Sequence, residues 1–160
     1  MIFNEGERLL RYWGYIEREE YIILFEKEFP VCVCPGADEF FSVSEQDIIR
    51  QIIEDKVPFG DIEITYDALY AICDEHEVVS SKGMIWLLPA ICRYILHRKP
   101  HHGYFVELIP LYIELGYSDY CFNLSLLTTN QKELLYNFLE YCAETYGIKV
   151  SIAQDKMTMM

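Results

Sequence analysis

The feature that most constrains this fold is an unbroken apolar run from Met84 to Cys92, which ends at Arg93. Its bulky residues, continued by Ile95, recur with the spacing of one helical face: Met84, Leu87, Leu88, Ile91 and Ile95. A helix with so apolar a face must be covered by other elements of the chain. The run is less than half of the ~20 residues that a membrane-spanning helix requires. It therefore predicts a buried helix in a mainly α fold, and no membrane-spanning segment.

The chain is long enough to enclose such a helix. It has 160 residues, of which 52% are hydrophobic and 15% are aromatic. A chain of this size buries roughly 70% of the surface that it exposes when unfolded. Disordered segments carry far less apolar and aromatic surface. We expect a compact single-domain bundle over residues 1–160, with a frayed tail over residues 153–160.

Capping signals and apolar spacing divide the chain into about five or six helices. A side-chain oxygen at the N-cap accepts a hydrogen bond from the first turn, and a Glu or Gln three residues later completes a capping box. The candidate N-caps are Ser42 with Glu45, Thr65, Ser80 or Ser81, and Thr128 with Gln131. Pro89 removes a backbone donor inside the apolar run, so we expect the helix to kink or to start again there.

Apolar spacing predicts two further helices. The first covers Glu5–Phe29, is loosened near Gly14 and ends at Pro30. The second covers Tyr104–Leu115 and contains a second proline. Gly116 follows this helix and can close it as a C-cap, because glycine readily adopts the left-handed conformation found there.

Two segments are predicted to be non-helical. Val31–Phe41 contains the turn signal Pro35-Gly36 and should form a loop with a short extended piece. Gly147 ends the last helix, and apolar residues then alternate over residues 148–152, which predicts a short extended tail. These two segments leave room for one or two short strands beside the helices.

Acidic residues outnumber basic residues two to one. The 26 Asp and Glu against 13 Lys and Arg give a net charge of −13 at pH 7. Phosphate binding requires clustered Lys and Arg, so we expect no nucleic-acid partner. The segment Met1–Glu7 has no basic lead followed by an apolar core, so we expect a cytoplasmic protein.

The six cysteines do not have the features of a secreted disulfide framework. Three of them lie among apolar helical residues, where a reduced cysteine acts as a small buried hydrophobe: Cys73, Cys92 and Cys142. Cys32 and Cys34 could join His101 and His102 at a zinc ion, but neither spacing matches a tetrahedral site. The acidic neighbours of Cys34 also argue against a reactive thiolate. We predict no metal site and no cofactor.

Established catalytic motifs are absent from the sequence. It has no glycine-rich phosphate loop, no Gly-x-Ser-x-Gly elbow and no His-Glu-x-x-His helix. The alternative of a small hydrolase or nucleic-acid-processing enzyme would use His76 or His101 with nearby carboxylates. Such a site requires the histidine to lie in a closed cleft, hydrogen bonded to Asp or Glu. We predict no catalytic residue and no enzymatic activity.

The acidic residues are placed where helix stability does not favour them. Negative charge at a helix C-terminus typically costs about 0.3 to 1 kcal/mol, yet acidic residues close the second and third predicted helices. We expect these carboxylates, and those of the connector between the helices, to converge at one end of the bundle and attract a cationic partner. The candidate partner-binding residues are Glu54, Asp55, Asp61, Glu63, Asp74, Glu75 and Glu77, with Tyr66 and Tyr70 as possible anchors.

The stretch Val79–Ala90 reads Val-Ser-Ser-Lys-Gly-Met-Ile-Trp-Leu-Leu-Pro-Ala. A helix that starts at Ser and runs through an aromatic residue into Leu-Pro-Ala resembles an uncharacterised family of small bacterial helical proteins. The likeness covers Ser44–Leu96, and more faintly Thr128–Tyr141. Lys82-Gly83 stands where that family usually has Pro and an acidic residue. The resemblance implies a mostly helical fold and no chemistry.

These observations give the hypothesis of an acidic, cytoplasmic protein-binding module. Its most specific form is a bacterial immunity protein that neutralises a basic toxin domain. The net charge, the single small domain, the absence of catalytic motifs and the bacterial resemblance all favour it. A second alternative, besides the enzyme, is a homodimeric structural protein, whose exposed aromatic residues would be buried at a twofold interface.

Overall fold

The computed structural model describes residues 10–115 and 123–158. Over these residues the chain forms eight α-helices around one hydrophobic core. The helices are α1 (Arg18–Glu28), α2 (Ala37–Phe40), α3 (Ile48–Ile53), α4 (Tyr66–Asp74), α5 (Ser81–Leu96), α6 (Leu108–Leu115), α7 (Thr129–Tyr146) and α8 (Ser151–Thr158). Short 3-10 turns cover Glu54–Lys56, His76–Val78, His102–Phe105 and Leu124–Leu126. The mainly α class is confirmed, with more helices than the five or six predicted.

Helix α5 lies at the centre of the core. Its residues 83–96 are buried, apart from the half-buried Ile85 and Arg93. The helix continues through Pro89, so the predicted restart is wrong. Burial on all sides outweighs the ~3 kcal/mol that an internal proline costs in an exposed helix. Neither α5 nor any other described helix has the length and apolarity to cross a membrane.

The other helices enclose α5 from several directions. Helices α1, α2 and α6 pack against it, as does the turn His102–Phe105. Helix α1 also packs on α7, and α8 contacts both α6 and α7. Between α1 and α7, the ring centroids of Phe25 and Phe138 lie 5.1 Å apart in an edge-to-face pair. The Tyr21 hydroxyl donates a 2.8 Å hydrogen bond to the Asn137 carbonyl in the same interface.

Three of the predicted N-caps are confirmed. The hydroxyls of Thr65 and Ser80 each accept a hydrogen bond from the backbone N–H three residues later, at 3.2 and 3.1 Å. Thr128 and Gln131 form the predicted capping box. Gly147 ends α7 with a φ of 70°, as the sequence predicts. These signals succeed because donor and acceptor lie within one turn of chain.

The N-terminal helix is shorter than predicted. Residues 10–17 are not helical, and residues 5–9 lie outside the described part of the chain. Gly14 has a φ of 86°, which interrupts the helical path. The segment is instead hydrogen bonded to α7, because the side-chain oxygen of Asn137 accepts a 2.7 Å hydrogen bond from the backbone N–H of Trp13. A hydrogen bond to α7, which is distant in sequence, thus replaces the helical hydrogen bonding that was predicted for this segment.

The predicted N-cap at Ser42 is wrong. Helix α3 is capped by Asp47, whose carboxylate accepts hydrogen bonds from the N–H groups of Ile49 and Arg50 at 2.9 and 3.1 Å. The Ser42 N–H donates instead to the Val78 carbonyl at 2.8 Å. A capping motif describes only neighbouring residues, whereas this bond joins segments that are far apart in sequence.

Two other boundaries differ from the prediction. The predicted loop Val31–Phe41 contains the short helix α2, and the helix predicted from Tyr104 begins only at Leu108. Residues 102–105 form a 3-10 turn before it. The apolar spacing runs through that turn, so the pattern does not separate it from α6. The predicted C-cap at Gly116 lies outside the described residues.

The C-terminal segment is helical, although an extended and then frayed tail was predicted. Ala153 and Met157 lie one turn apart on α8 and are almost completely buried, with 0% and 1% of their surface exposed. Lys156 donates a 3.2 Å hydrogen bond from Nζ to the Glu114 carbonyl on α6. A helix this short is marginal by itself and forms because its apolar face packs against α6 and α7.

The described residues contain isolated β-bridges but no β-strand. Cys34 pairs with Phe59 in a parallel bridge, and Phe41 pairs with Val79 in an antiparallel one. The Cys34 N–H also donates a 2.7 Å hydrogen bond to the Asp61 carbonyl. These bonds hold the loop before α2 against the connector between α3 and α4.

We expect Gly83→Ala to destabilise the fold by about 3 kcal/mol through overpacking. A Cβ at Gly83 would lie 2.6 Å from Cγ1 of Val79 and 2.7 Å from the carbonyl oxygen of Phe40. That oxygen belongs to the backbone at the end of α2, which cannot move without disturbing its contact with α5. Urea unfolding would measure the loss. Gly103→Ala is the control, because its Cβ would meet nothing within 4 Å; equal losses in both variants would contradict the close approach.

Candidate functional site

Helix α4 divides the predicted acidic residues into two groups. Asp61 and Glu63 precede the helix, whereas Asp74 is its last residue and Glu75 and Glu77 follow. A helix of this length spans about 13 Å, at a rise of 1.5 Å per residue. The structure therefore does not bring these carboxylates to one end of the bundle.

Glu54 has a structural role. Its carboxylate forms an ion pair with Arg50 at 3.3 Å. Arg50 is buried, donates a 2.9 Å hydrogen bond to the Val43 carbonyl and lies 4.7 Å above the Phe41 ring. The prediction that the acidic residues at this helix end do not stabilise the fold is therefore wrong for Glu54. The adjacent Asp55 is exposed and forms no ion pair with another described residue.

Asp61 shapes the backbone next to α4. Its Oδ1 accepts hydrogen bonds from the N–H groups of Ile62 and Glu63 at 2.7 and 3.2 Å, which forms a tight turn. Glu63 lines a cleft together with Arg93 and Lys99. Glu63 thus adjoins cations of its own chain and does not extend an open acidic surface.

The two predicted tyrosines lie side by side on one surface, where a third tyrosine joins them. The ring centroids of Tyr66 and Tyr70 are 6.0 Å apart, and Tyr70 stacks on Tyr104 at 5.5 Å with an interplanar angle of 30°. Tyr70 and Tyr104 expose 41% and 57% of their surface. Tyr66 is half-buried between the rings of His101 and Phe105, at 4.9 and 5.8 Å.

Beside the stacked rings lies a groove of about 210 Å³, which we call the tyrosine groove. It is lined by Tyr70, Cys73, Asp74, Tyr104, Glu107 and Leu108. The carboxylates of Asp74 and Glu107 are exposed. The pKa of Tyr104 is raised by hydrogen bonding to the Tyr70 side chain, and desolvation and the nearby charge of Asp74 act in the same direction. The Tyr104 hydroxyl therefore lies within the field of the Asp74 carboxylate.

The tyrosine groove combines two kinds of group that bind cations. Aromatic faces attract a guanidinium or ammonium group, and carboxylates accept charge-assisted hydrogen bonds from it. Leu108 supplies an apolar contact for the aliphatic stem of a Lys or Arg side chain. Within the described residues, neither Asp74 nor Glu107 forms an ion pair with a Lys or Arg. The groove can therefore receive a basic side chain from another molecule.

Sequence reasoning found half of this groove and missed the other half. Asp74 was predicted as an acidic residue at the end of a helix, and Tyr70 as a possible anchor beside it. Tyr104 and Glu107 were not predicted. Their i, i+3 spacing indicates that they share one side of a helical turn. Nothing in the local sequence, however, places that turn against α4.

The two candidate histidines make different contacts. His76 Nδ1 lies 3.3 Å from the Cys73 carbonyl, and its ring contacts Tyr112 at 5.3 Å. His101 is exposed, has a left-handed φ of 60° and packs its ring against Tyr66. The hydrogen bonds and ion pairs of the described residues include none between these two rings and a carboxylate.

The described cysteines are all free thiols. Burial raises the pKa of Cys34 to about 12 and that of Cys73 to about 12. The same cause raises the pKa of Cys142 well above its ordinary value, whereas Cys32 is exposed. No group of three or more His, Cys, Asp or Glu side chains is arranged to hold a metal ion in the part of the chain that the structure describes. Cys121 lies outside that part.

Comparison with known proteins finds no matching family model, no matching curated protein and no matching solved structure. The resemblance of Val79–Ala90 to a family of small bacterial proteins therefore stays a prediction.

We expect Glu54→Gln to lower the free energy of unfolding by about 1 kcal/mol, because the buried Arg50 would lose its counter-charge. Asp55→Asn removes the same charge from the adjacent exposed position and is the matched control. Urea unfolding at low ionic strength would measure both variants. An equal loss in the two would contradict the structural role of Glu54.

Proposed function

We propose that this chain is a cytoplasmic protein-binding module that holds a basic side chain of its partner in the tyrosine groove. The observation that carries the proposal is one groove in which two exposed, stacked tyrosine rings adjoin the two carboxylates of Asp74 and Glu107. Tyrosine is enriched among the residues that dominate binding energy at protein interfaces. A carboxylate pair beside such rings selects a cationic contact.

The charge of the whole chain favours the same kind of partner. A net charge of −13 attracts a basic protein from a distance and raises its association rate, most strongly at low salt. Exposed carboxylates outside the groove, such as Asp55 and Glu77, contribute to this steering. The groove then supplies the short-range contacts. Salt separates the two effects, because ions largely screen the attraction between charges that lie more than about 8 Å apart at physiological ionic strength. The short-range contacts in the groove are screened less.

In its most specific form, the proposal is a bacterial immunity protein that neutralises a basic toxin domain. A protein of this kind needs a small stable scaffold and an acidic surface, and it needs no catalytic centre. The mainly α domain supplies the scaffold, and the tyrosine groove supplies an anchor for a lysine or arginine of the toxin.

The alternative functions receive less support from the structure. The hydrolase alternative requires a histidine that is hydrogen bonded to Asp or Glu, and neither His76 nor His101 has such a bond to a described residue. A homodimer joined through the tyrosine groove would oppose the carboxylates of two copies, and like charges across an interface weaken association. A basic partner therefore suits this groove better than a second copy.

The groove can be tested with a short peptide before any partner is known. We expect acetyl-Gly-Arg-Gly-amide to shift the NMR signals of Tyr70, Tyr104 and their neighbours in a saturable way. Asp74→Asn combined with Glu107→Gln should weaken this binding by about tenfold, because both carboxylates that accept from the guanidinium are lost. Asp55→Asn combined with Glu77→Gln removes equal charge outside the groove and should change the affinity less than about twofold.

The neutral isostere with citrulline in place of arginine is the second control for this experiment. Tyr104→Leu should also weaken binding of the arginine peptide, because the ring face is lost. Equal binding of the citrulline peptide, or equal effects of the two double variants, would contradict the proposed groove.

The toxin-neutralising form is tested by the protein that the chain binds in its source cells. We expect the wild-type chain to retain one basic protein at low salt and to release it at high salt, and the Asp74→Asn, Glu107→Gln variant to retain much less. Expression of the captured protein alone should inhibit growth. Coexpression of the wild-type chain should relieve the inhibition, and coexpression of the double variant should not. A captured protein without any effect on growth would contradict the immunity function while leaving the binding groove intact.

A further inference from the structure

A second cleft, of about 290 Å³, lies beside the C-terminal half of α5. Its lining includes Val31, Ile62, Glu63, Arg93, His97 and Lys99. We call it the Arg93 cleft. It shares no lining residue with the tyrosine groove. Its volume is at the lower end of the range for ligand pockets and suits a small molecule.

Two walls of different character form the Arg93 cleft. One is a stripe along α5 in which Ala90, Arg93 and His97 follow the spacing of a helical face. The other is supplied by the loop between α1 and α2 and by the connector between α3 and α4, and it carries apolar side chains. Val31 and Ile62 expose 50% and 52% of their surface on these segments. The described chain thus leaves an apolar wall facing water beside the cationic side chains of Arg93 and Lys99.

Arg93 is held in place but is not neutralised. It is half-buried, and its Nη1 donates a 3.2 Å hydrogen bond to the Phe29 carbonyl. The described residues provide no carboxylate within ion-pair distance of its guanidinium. Desolvation lowers the pKa of Arg93 from its ordinary value. The guanidinium has therefore lost water without gaining a negative partner, and most of its five donors remain available.

The loop after α5 positions a second cation. The Tyr94 hydroxyl donates a 2.8 Å hydrogen bond to the Pro100 carbonyl, and the Lys99 N–H donates to the Tyr94 carbonyl at 3.3 Å. Arg98 and His101 on either side have left-handed φ values of 51° and 60°. Non-glycine residues keep such a conformation only where surrounding contacts enforce it. The loop is thereby fixed in a shape that places Lys99 at the cleft.

We infer that the Arg93 cleft is a binding site for a small organic monocarboxylate with an aliphatic body. The carboxylate accepts hydrogen bonds from the guanidinium of Arg93, whose planar donors match its geometry, and Lys99 adds a second positive charge. The aliphatic body covers Val31 and Ile62 and removes them from water.

The charge balance of the cleft selects a single negative charge. Arg93 and Lys99 contribute two positive charges, and Glu63 contributes one negative charge. The cleft is left with one net positive charge, which a monoanion neutralises. A phosphate or a dicarboxylate would place its second negative charge near Glu63, so these anions are disfavoured.

Sodium hexanoate is a suitable probe, because it combines one carboxylate with a short aliphatic chain. We expect it to cause saturable shifts in the amide NMR signals of residues 62–64 and 93–99 at constant ionic strength. Acetate lacks the aliphatic body, and hexanamide lacks the charge. Each should bind at least about tenfold more weakly than hexanoate.

A charge-matched pair of variants assigns the binding to the cleft. Ile62→Glu puts a negative charge in the apolar wall and should weaken hexanoate binding at least about tenfold. Val33→Glu makes the same change at a residue that does not line the cleft, and should leave the affinity within about twofold. The two positions are similarly exposed, at 52% and 55%, so neither variant should unfold the chain. Arg93→Met should also abolish binding, with Arg98→Met as its charge-matched control.

Three results would overturn the inference. They are the absence of a saturable shift with hexanoate, equal affinity for hexanamide, and equal weakening by Ile62→Glu and Val33→Glu. The arginine-peptide experiment on the tyrosine groove uses other residues and another ligand charge, so either site can fail without affecting the other.

Discussion

Helix α5 has buried residues on every side of its axis, so the chain must surround it, and most of the remaining structure follows from that requirement. The packing is close at Gly83, where Val79 and the Phe40 carbonyl leave no room for a Cβ. The same enclosure keeps α5 helical through Pro89. It also explains why helices as short as α2, α3 and α8 form, because they cover the core although each would be marginal alone.

The tyrosine groove lies between α4 and the segment that leads into α6, whereas the Arg93 cleft lies beside α5, and the two candidate sites have opposite character. The tyrosine groove offers carboxylates and ring faces, whereas the Arg93 cleft offers cations and an apolar wall. A single buried ring supports both, because Phe105 contacts Tyr104 of the groove at 5.3 Å and Tyr94 of the cleft at 5.5 Å. In a chain with a net charge of −13, this separation would let one small domain bind both a cation and an anion, as we propose for the two sites.

Sequence signals were reliable where the interacting groups lie within one turn of each other. The caps at Thr65, Ser80 and Thr128 are of this kind. The prediction failed at Ser42, whose N–H is bonded to a distant carbonyl. It failed for Glu54 because a charge rule for helix ends does not include a buried Arg50 as a partner. At Ser42 a long-range contact outweighed the local preference, whereas the Arg50–Glu54 pair is itself local, at an i, i+4 spacing that the rule for helix ends does not consider.

The tyrosine groove shows the same difference between local patterns, which could be predicted, and long-range contacts, which could not. Tyr70 and Asp74 could be predicted, because the pattern of α4 places them off its buried face, but Tyr104 and Glu107 reach them only through the path of the chain after α5. The sequence by itself determined the mainly α class, the buried central helix and the strongest caps, since these depend on spacing over a few residues. Only the tertiary structure decided which exposed side chains share a groove, because side chains far apart in sequence meet only when the helices that carry them pack together.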